Sequence, residues 1–289
     1  MGVVLIDVPT LARQLAGARP PTVIDVRWRL GEPSGRIAYL RGHVPGAAFL
    51  DLDAELAGEP GPRGRHPLPQ PGALQRSLRR AGVREGHSVI AYDAGDGQAA
   101  ARLWWTLRWA GHPEVAVLDG GFAAWTAEDR PVEPGEAMPP PGDVVVRPDQ
   151  LPAVDAGGAE RLAREGVLLD ARIPARYRGE TEPVDPVAGH IPGAVNLPSA
   201  RLAGSDGRLR PPDELREIFE AAGVRAGGAV GAYCGSGIVA AHTVFALHMA
   251  GYEDACLYVG SWSDWITDPD RPVAVGDEAT GNTTERGRR

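Results

Sequence analysis

Short apolar runs alternate with helix-like segments along the whole chain. In the second half, apolar runs lie at 167–170, 229–233 and 255–259, and helix-like segments lie at about 211–222 and 238–250. Strands that alternate with helices of this length form parallel sheets whose faces the helices cover. The pattern therefore predicts an α/β fold built on a parallel sheet with helices on both faces.

The whole pattern occurs twice. Five segments recur in the same order: 23–27 as 168–172, 42–47 as 189–194, 89–93 as 230–234, 120–125 as 260–265, and 130–132 as 271–273. Such self-similarity at a nearly constant offset indicates a tandem duplication. We therefore expect two domains of the same fold, at 1–135 and 146–276. A stiff, proline-rich linker is expected at 136–145 and a disordered tail at 277–289.

Cys234 lies directly after one apolar strand-like run and directly before a helix-like run, in Ala-Tyr-Cys-Gly-Ser-Gly-Ile-Val-Ala. Ligand sites in parallel sheets lie at the carboxyl ends of the strands. A loop in this position can direct backbone N–H groups and the positive end of the helix at the sulfur, which favours the thiolate. Gly235 and Gly237 permit the unusual backbone angles that such a loop needs. The pattern predicts a nucleophilic cysteine rather than a small buried apolar residue.

The duplication gives Cys234 a counterpart in the first half, Asp93. A carboxylate cannot act as a sulfur nucleophile, so we expect the first domain to be catalytically silent. The only other cysteine, Cys256, lies in an apolar run and is expected to be a buried strand residue.

Composition excludes several classes of function. The formal net charge is −8 with a pI of about 5.4, which argues against a nucleic-acid partner. No apolar stretch has the length of a membrane span, and the first residues do not resemble a signal peptide. Two cysteines make neither a disulfide framework nor a metal site. We expect a cytoplasmic protein without a membrane partner, metal or organic cofactor.

Together these motifs resemble the two-domain rhodanese sulfurtransferases over nearly the whole chain. The paired Gly-His-(Val/Ile)-Pro-Gly-Ala segments and Gly-Ser-Trp-Ser-Asp-Trp at 260–265 are typical of that family. The loop at Cys234 is most similar to that of the 3-mercaptopyruvate sulfurtransferases. The resemblance implies that Cys234 takes sulfur from a small anionic donor as a persulfide and passes it to a thiol or to cyanide. The oligomeric state stays open.

The resemblance also implies roles for individual residues. The active loop would comprise Gly235, Ser236, Gly237, Ile238 and Val239. Ser236 would orient or protonate the donor, unless its hydroxyl only stabilises the loop. Arg176 would bind the anionic end of the donor, since a guanidinium suits a carboxylate or sulfonate. His43 with Glu32 as its acidic partner is a further candidate, although the repeat of the histidine at His190 favours a structural role.

The chain departs from the mercaptopyruvate enzymes in two places. The segment 181–186 is short and lacks their second arginine, and Val239 stands where they usually have a threonine. Thiosulfate:cyanide sulfurtransferase therefore remains an alternative. A binding or regulatory module on the same fold is an alternative of another class, although the retained cysteine and glycines argue against it. A cysteine phosphatase is disfavoured because the loop contains no arginine.

Overall fold

The computed structural model describes residues 4–32, 35–277 and 283–284. Its internal contacts divide the chain into two units. The first unit contains the chain up to Gly58 together with Leu68–Leu151 and Gly204–Leu209. The second unit contains Glu59–Pro67, Pro152–Ala203 and the chain from Arg210 onward.

The first unit is built on a parallel sheet of five strands in the order β1-β5-β4-β2-β3. Its strands are β1 (Leu5–Ile6), β2 (Thr22–Asp25), β3 (Ala48–Phe49), β4 (Val89–Tyr92) and β5 (Val115–Leu118). Its helices are α1 (Val8–Leu15), α2 (Arg36–Arg41), α3 (Leu52–Glu55), α4 (Pro71–Arg80), α5 (Gln98–Trp109) and α6 (Gly121–Ala127).

The second unit repeats this sheet in the order β6-β10-β9-β7-β8, again entirely parallel. Its strands are β6 (Ala153–Val154), β7 (Val167–Asp170), β8 (Val195–Asn196), β9 (Val230–Tyr233) and β10 (Cys256–Tyr258). Its helices are α7 (Ala156–Glu165), α8 (Pro174–Tyr177), α9 (Pro212–Ala221), α10 (Ile238–Met249) and α11 (Ser261–Trp265), with a 3₁₀ turn at Ser199–Leu202. The predicted α/β fold with two parallel sheets is confirmed.

The sequence explains why α10 lies inside the unit. Ten of its twelve residues are buried, and it packs against β9, β10, α9 and the 3₁₀ turn. An apolar surface on all sides of a helix requires such an enclosed position. None of the helices within residues 4–32 and 35–277 is both long enough and apolar enough to cross a membrane.

The division between the units differs from the predicted linker at 136–145. The first unit extends to Leu151, and the proline-rich stretch packs onto it through its backbone. The Gly142 N–H donates to the Arg79 carbonyl at 2.7 Å, and the Val144 N–H donates to the Val83 carbonyl at 3.2 Å. A side chain at Gly142 would collide with the Val83 carbonyl oxygen, 1.8 Å from the Cβ position. Glycine permits this close approach, so the stretch is held along the first unit.

Most of the predicted tail, 277–289, lies outside the described residues. The exceptions are Asp277 and a two-residue strand, β12 (Thr283–Thr284), which pairs antiparallel with β11 (Val273–Ala274). β11 begins at Val273, the last residue of the repeated Arg-Pro-Val segment. Its Ala274 also forms a backbone bridge to His190.

Each half contributes one loop to the other unit. A Leu-Ala-Gly sequence, at 56–58 and at 202–204, stands where each of these loops begins. The segment Glu59–Pro67 belongs to the second unit, and Gly204–Leu209 belongs to the first. Neither half of the sequence is therefore a self-contained unit.

A buried ion pair ends the second strand of each half. Asp25 contacts Arg27 at 2.6 Å, and Asp170 contacts Arg172 at 2.6 Å. Each arginine also donates to a backbone carbonyl of the Gly-His-x-Pro-Gly turn, at Gly42 and at Gly189. Buried charges persist only when they are paired and hydrogen-bonded. In each half, the ion pair therefore links the end of the strand to the Gly-His-x-Pro-Gly turn.

The loop after β4 holds its own carboxylate in an anion site. Asp93 Oδ1 accepts hydrogen bonds from the Gly95 and Gly97 N–H groups at 2.9 and 3.1 Å, and Oδ2 accepts one from Ala100 at 3.1 Å. Burial and the neighbouring Asp96 raise the pKa of Asp93 to about 7, although the three N–H donors oppose the shift. Asp93 thus fills the loop that corresponds to the cysteine loop.

We predict that Asp93→Asn makes the free energy of unfolding less dependent on pH. The folded-state pKa lies above the ordinary value of 3.8. The folded protein therefore keeps a proton that the unfolded chain releases, and stability is lost as pH rises from about 4 to about 7. Urea unfolding of the wild type should lose about 2 kcal/mol between about pH 5 and pH 8 that the variant does not lose. The exposed Asp129→Asn is the control, and parallel curves for wild type and Asp93→Asn would contradict the prediction.

Candidate functional site

The loop at Cys234 connects β9 directly to α10. Tyr233 ends the strand and Ile238 begins the helix. Gly237, the residue before the helix, has a φ of 84°, in the left-handed region that favours glycine. Its counterpart in the first unit, Gly97, has a φ of 73°. The two loops therefore turn into their helices in the same way, one around a thiol and the other around a carboxylate.

The Cys234 side chain points into this turn. The Gly237 N–H donates to Sγ at 3.1 Å, and the residue is only 3% exposed. The sulfur also lies at the N-terminal end of α10, where the helix dipole is positive. Both features stabilise negative charge on sulfur. Cys234 is a free cysteine.

Helix α11 fixes the backbone of the loop. Trp262 and Ser263 donate their N–H groups to the carbonyls of Cys234 and Gly235 at 3.0 and 2.9 Å. Ser261 Oγ accepts a hydrogen bond from the Cys234 N–H at 3.1 Å and donates to the Tyr258 carbonyl at 2.8 Å. Ser261 has a φ of 55°, which is strained for a residue with a side chain, whereas the equivalent residue of the first unit is Gly121 at 53°. The strain accompanies a side chain that holds the cysteine in place.

Ser236 forms a short hydrogen bond with His66. The distance from Ser236 Oγ to His66 Nδ1 is 2.7 Å, and both side chains are buried. His66 lies in Glu59–Pro67, the segment of the first half that belongs to the second unit. A hydroxyl next to an imidazole can exchange a proton with it. A hydroxyl that only stabilised the loop would not need an imidazole partner.

Arg176 lies beside the loop and is engaged by two carboxylates. It donates to both oxygens of Glu182 at 2.9 and 2.6 Å, and its Nη2 also contacts Asp185 at 3.1 Å. Burial opposes ionisation of Glu182, but the hydrogen bonds from Arg176 lower its pKa below the ordinary value. Glu182 also lies 3.6 Å from Arg172. The segment 181–186, expected only to lack an arginine, thus supplies the acidic partners of Arg176.

A second arginine, Arg65, reaches the same loop. Its Nη1 donates to Asp185 Oδ1, the oxygen that Arg176 does not contact, at 2.7 Å. Its backbone N–H donates to Ser263 Oγ at 3.0 Å. A Cβ atom on Gly235 would lie 3.3 Å from Arg65 Nη2 and 3.6 Å from both Nη atoms of Arg176. Gly235 therefore leaves room for two guanidinium groups at the mouth of the loop.

The structure brings together most of the predicted residues. Cys234, Gly235, Ser236 and Gly237 form the loop, Arg176 adjoins it, and Ile238 and Val239 form the first turn of α10. Within the described ranges, no group of three or more His, Cys, Asp or Glu residues is placed to hold a metal ion. Cys256 is partly buried, at the start of β10 rather than in its core.

His43 and Glu32 do not belong to this loop. His43 is a residue of the first unit, buried and stacked on Tyr39, and its Nδ1 lies 3.0 Å from the Tyr39 carbonyl. His190 makes the same contacts with Tyr177 in the second unit. The repeated environment indicates a structural role for both histidines. The acidic group near His43 is Glu133 at 4.0 Å, whereas Glu32 is exposed and faces Arg29 at 3.9 Å.

Sequence reasoning missed Arg65 and His66. The signal available was a run of basic residues, Arg-Gly-Arg-His at 63–66, in a loop rich in Gly and Pro. The corresponding loop of the second half is shorter and does not repeat this run. An unmatched basic insertion in a duplicated sequence was the feature that pointed to a specialised role.

The comparison with known families identifies two matches in the chain. The model of the rhodanese-like domain matches residues 8–128 and again residues 157–268. These two ranges together cover well over half of the 289 residues. They also coincide with the two halves of the duplication.

Several relatives match nearly the whole chain. A Mycobacterium tuberculosis protein named "Putative thiosulfate sulfurtransferase SseB" is 46% identical over 279 residues, covering 95% of this chain and 98% of that protein. A Pseudomonas aeruginosa protein named "Probable 3-mercaptopyruvate sulfurtransferase" is 47% identical over 264 residues, covering 88% and 92%. The crystal structure of SseA from Escherichia coli, described among the 3-mercaptopyruvate sulfotransferases, matches with a TM-score of 0.80 and 31% identity, covering 90% of this chain and 99% of that one. The names agree on the transfer of sulfur and differ in the donor.

Proposed function

The chain belongs to the rhodanese-like domain family, and we propose that it is a sulfurtransferase that takes sulfur from 3-mercaptopyruvate onto Cys234. The observation that carries this proposal is the contact from the Gly237 N–H to Sγ at the N-terminus of α10. The sulfurtransferase class accords with the names of the close relatives. The donor and the roles of individual residues are our proposal.

The first step is attack by the Cys234 thiolate on the thiol sulfur of the donor. A sulfur–sulfur bond forms, the carbon–sulfur bond of the donor breaks, and its electron pair remains on the departing pyruvate as an enolate. The enolate takes a proton and leaves as pyruvate. Cys234 keeps the transferred sulfur as a persulfide, which the Gly237 N–H and the helix end stabilise in its anionic form.

Ser236 and His66 are suited to deliver that proton. The Oγ–Nδ1 distance of 2.7 Å allows the hydroxyl to give up its proton while the imidazole replaces it. A sulfite leaving group, as from thiosulfate, departs as a stable anion and needs no proton. The Ser236–His66 pair therefore favours a donor whose leaving group must take up a proton, as the pyruvate enolate does.

The charges beside the loop also favour a donor with one negative charge. Arg65 and Arg176 are balanced by Glu182 and Asp185, so the cluster has no excess positive charge. A carboxylate can accept hydrogen bonds from such guanidinium groups. A compact dianion such as thiosulfate faces more repulsion from the two acidic side chains. Thiosulfate transfer remains the second candidate, because the name of the mycobacterial relative specifies it.

The acceptor would be cyanide or a thiol, which attacks the outer sulfur of the persulfide and restores the Cys234 thiolate. A reducing compartment such as the cytoplasm suits this cycle, because Cys234 and Cys256 are both free. The first unit would take no part in the chemistry, since the Asp93 carboxylate fills its loop. A non-catalytic binding role does not account for two arginines and a Ser–His pair placed next to a thiol.

We predict that Cys234→Ser abolishes sulfur transfer and leaves the thermal unfolding temperature close to that of the wild type. The hydroxyl has nearly the same size but does not ionise. Mass spectrometry of the wild type after donor treatment should find one added sulfur on Cys234. Cys256→Ser is the matched control and should remain active. Turnover by a correctly folded Cys234→Ser variant would refute the mechanism.

We predict a higher kcat/KM for 3-mercaptopyruvate than for thiosulfate with the same acceptor. The carboxylate of 3-mercaptopyruvate can accept hydrogen bonds from the guanidinium groups, and losing one hydrogen bond to a charged group costs about 1.5–3 kcal/mol. Repulsion between the thiosulfate dianion and the two acidic side chains adds to the difference in kcat/KM. A preference of at least about tenfold is expected. Steady-state kinetics with cyanide as the common acceptor measures it directly. A preference for thiosulfate would overturn the proposed donor and leave the sulfurtransferase class intact.

We predict that Ser236→Ala and His66→Gln lower kcat with 3-mercaptopyruvate by on the order of 100-fold, the typical contribution of a positioned acid. Turnover of thiosulfate should fall much less, because sulfite needs no proton. The double variant should be no slower than the slower single variant, since the two residues act as one pair. Equal losses with both donors would show that the pair only supports the loop.

A further inference from the structure

The segment 59–67 is held on the second unit through its backbone. The Arg65 N–H donates to Ser263 Oγ at 3.0 Å, and the Pro62 carbonyl accepts a hydrogen bond from Thr267 Oγ1 at 3.2 Å. The first hydroxyl belongs to α11 and the second follows that helix directly. Because both contacts use backbone groups, they fix the path of the segment and not only the direction of one side chain.

The segment also packs directly against the start of α11. Gly64 is buried and has a φ of 94°, in the left-handed region that favours glycine. A Cβ atom there would lie 2.6 Å from the Gly260 carbonyl oxygen and 3.0 Å from Ser263 Oγ. Ser263 Oγ in turn donates to the same Gly260 carbonyl at 3.0 Å. The segment therefore lies against this hydroxyl with no space for a further atom.

Ser263 contacts the active loop as well as the segment. Its N–H donates to the Gly235 carbonyl at 2.9 Å, whereas its Oγ accepts the hydrogen bond from Arg65. His66 follows Arg65 in the chain, and Ser236 follows Gly235. Ser263 therefore fixes the backbone next to each member of the Ser236–His66 pair, whose side chains lie 2.7 Å apart.

The first unit separates these two contacts. The repeat aligns Ser263 with Ala123, whose N–H still donates to a loop carbonyl, that of Ala94, at 3.2 Å. The segment 204–209 is held there by the Asp119 carboxylate, which accepts a hydrogen bond from a backbone N–H of the segment at 3.3 Å. Fixing the loop carbonyl therefore requires no hydroxyl. The Ser263 hydroxyl serves the contact with the segment that enters the second unit.

We infer that Ser263 is a positioning residue, which holds the segment 59–67 so that the His66 imidazole meets the Ser236 hydroxyl. Ser263 acts through the backbone of the segment and takes no part in proton transfer itself. Proton delivery requires hydrogen-bond distance between its partners, and a misplacement of about 1 Å can cost on the order of 100-fold in rate. This inference rests on the proposed function, because His66 affects turnover there as the partner of the proton-delivering hydroxyl.

The first measurement is the reaction of His66 with diethyl pyrocarbonate, a reagent that acylates neutral imidazole groups. His66 is only 6% exposed, so its acylation in the wild type, read from the modified peptide, should be slow. In Ser263→Ala and in Gly64→Ala it should be at least about fivefold faster, because losing one anchoring hydrogen bond makes opening of the segment more favourable by about that factor. The fully buried His190 should stay protected in every variant.

The second measurement compares turnover with two donors. In Ser263→Ala, kcat with 3-mercaptopyruvate should fall by about five- to tenfold. Turnover of thiosulfate should fall by less than about twofold, because sulfite needs no proton. The alkylation rate of Cys234 by iodoacetamide should not change, since the Gly237 N–H still contacts the sulfur. Ser263→Thr keeps the hydroxyl and should retain most of the activity.

A double variant tests whether Ser263 acts through His66. Ser263→Ala combined with His66→Gln should be no slower with 3-mercaptopyruvate than His66→Gln alone, because both changes remove the same contribution. Thr126→Ala is the matched control, since Thr126 Oγ1 donates to carbonyls of its own helix, α6. It should leave the acylation rate and the turnover of both donors unchanged.

A protected His66 in Ser263→Ala would overturn the inference and leave the proposed function intact. Equal losses of turnover with both donors would overturn it as well, because they would show that Ser263 only supports the active loop. Wild-type turnover of 3-mercaptopyruvate by His66→Gln would refute the proton delivery of the proposed function. In that case the acylation rate of His66 would still decide whether Ser263 holds the segment.

Discussion

The buried pair of Asp170 and Arg172 is the interaction on which the site depends. Arg172 is almost fully buried, and although burial opposes it, Asp170 raises the pKa of Arg172 above its ordinary value. The pair joins the end of β7 to the carbonyl of Gly189 in the Gly-His-x-Pro-Gly turn. Arg172 also attracts Glu182, which in turn binds Arg176. Removing one member would leave an unpaired charge inside the second unit, at a cost of several kcal/mol.

The duplication shows how one loop geometry can serve two purposes. In both units a strand ends, the chain turns through a left-handed glycine, and a helix begins. Asp93 places a carboxyl group in the turn of the first unit and satisfies its N–H groups internally. Under the proposed function, Cys234 leaves the same kind of turn available to a sulfur that changes its covalent state. The side chain in the turn is therefore one difference between the two loops, and Ser236, His66 and Arg176 surround the thiol in the second unit.

The fold, the family and the cysteine loop could be predicted because their signals are local. The apolar runs predicted the central strands of the second unit to within a residue or two. The repeated segments predicted that the same sheet occurs twice. Arg65 and His66 were missed because their basic run does not reveal that the loop belongs to the other unit. The duplication favoured the opposite expectation, namely that each half is self-contained. The family resemblance made His43 a candidate, whereas the repeat at His190 already favoured a structural role.

The surroundings of Cys234 combine a rigid backbone with balanced charge. Ser261 accepts a strained φ so that its hydroxyl can hold the Cys234 N–H, and α11 fixes the neighbouring carbonyls. Such preorganisation lets the backbone dipoles act on sulfur without rearrangement during the reaction. The arginines are likewise fixed in advance by Glu182 and Asp185. Because these carboxylates cancel the positive charge, a second negative charge on a ligand gains no attraction, and under the proposed function the choice of donor depends on how well its carboxylate fits the guanidinium groups.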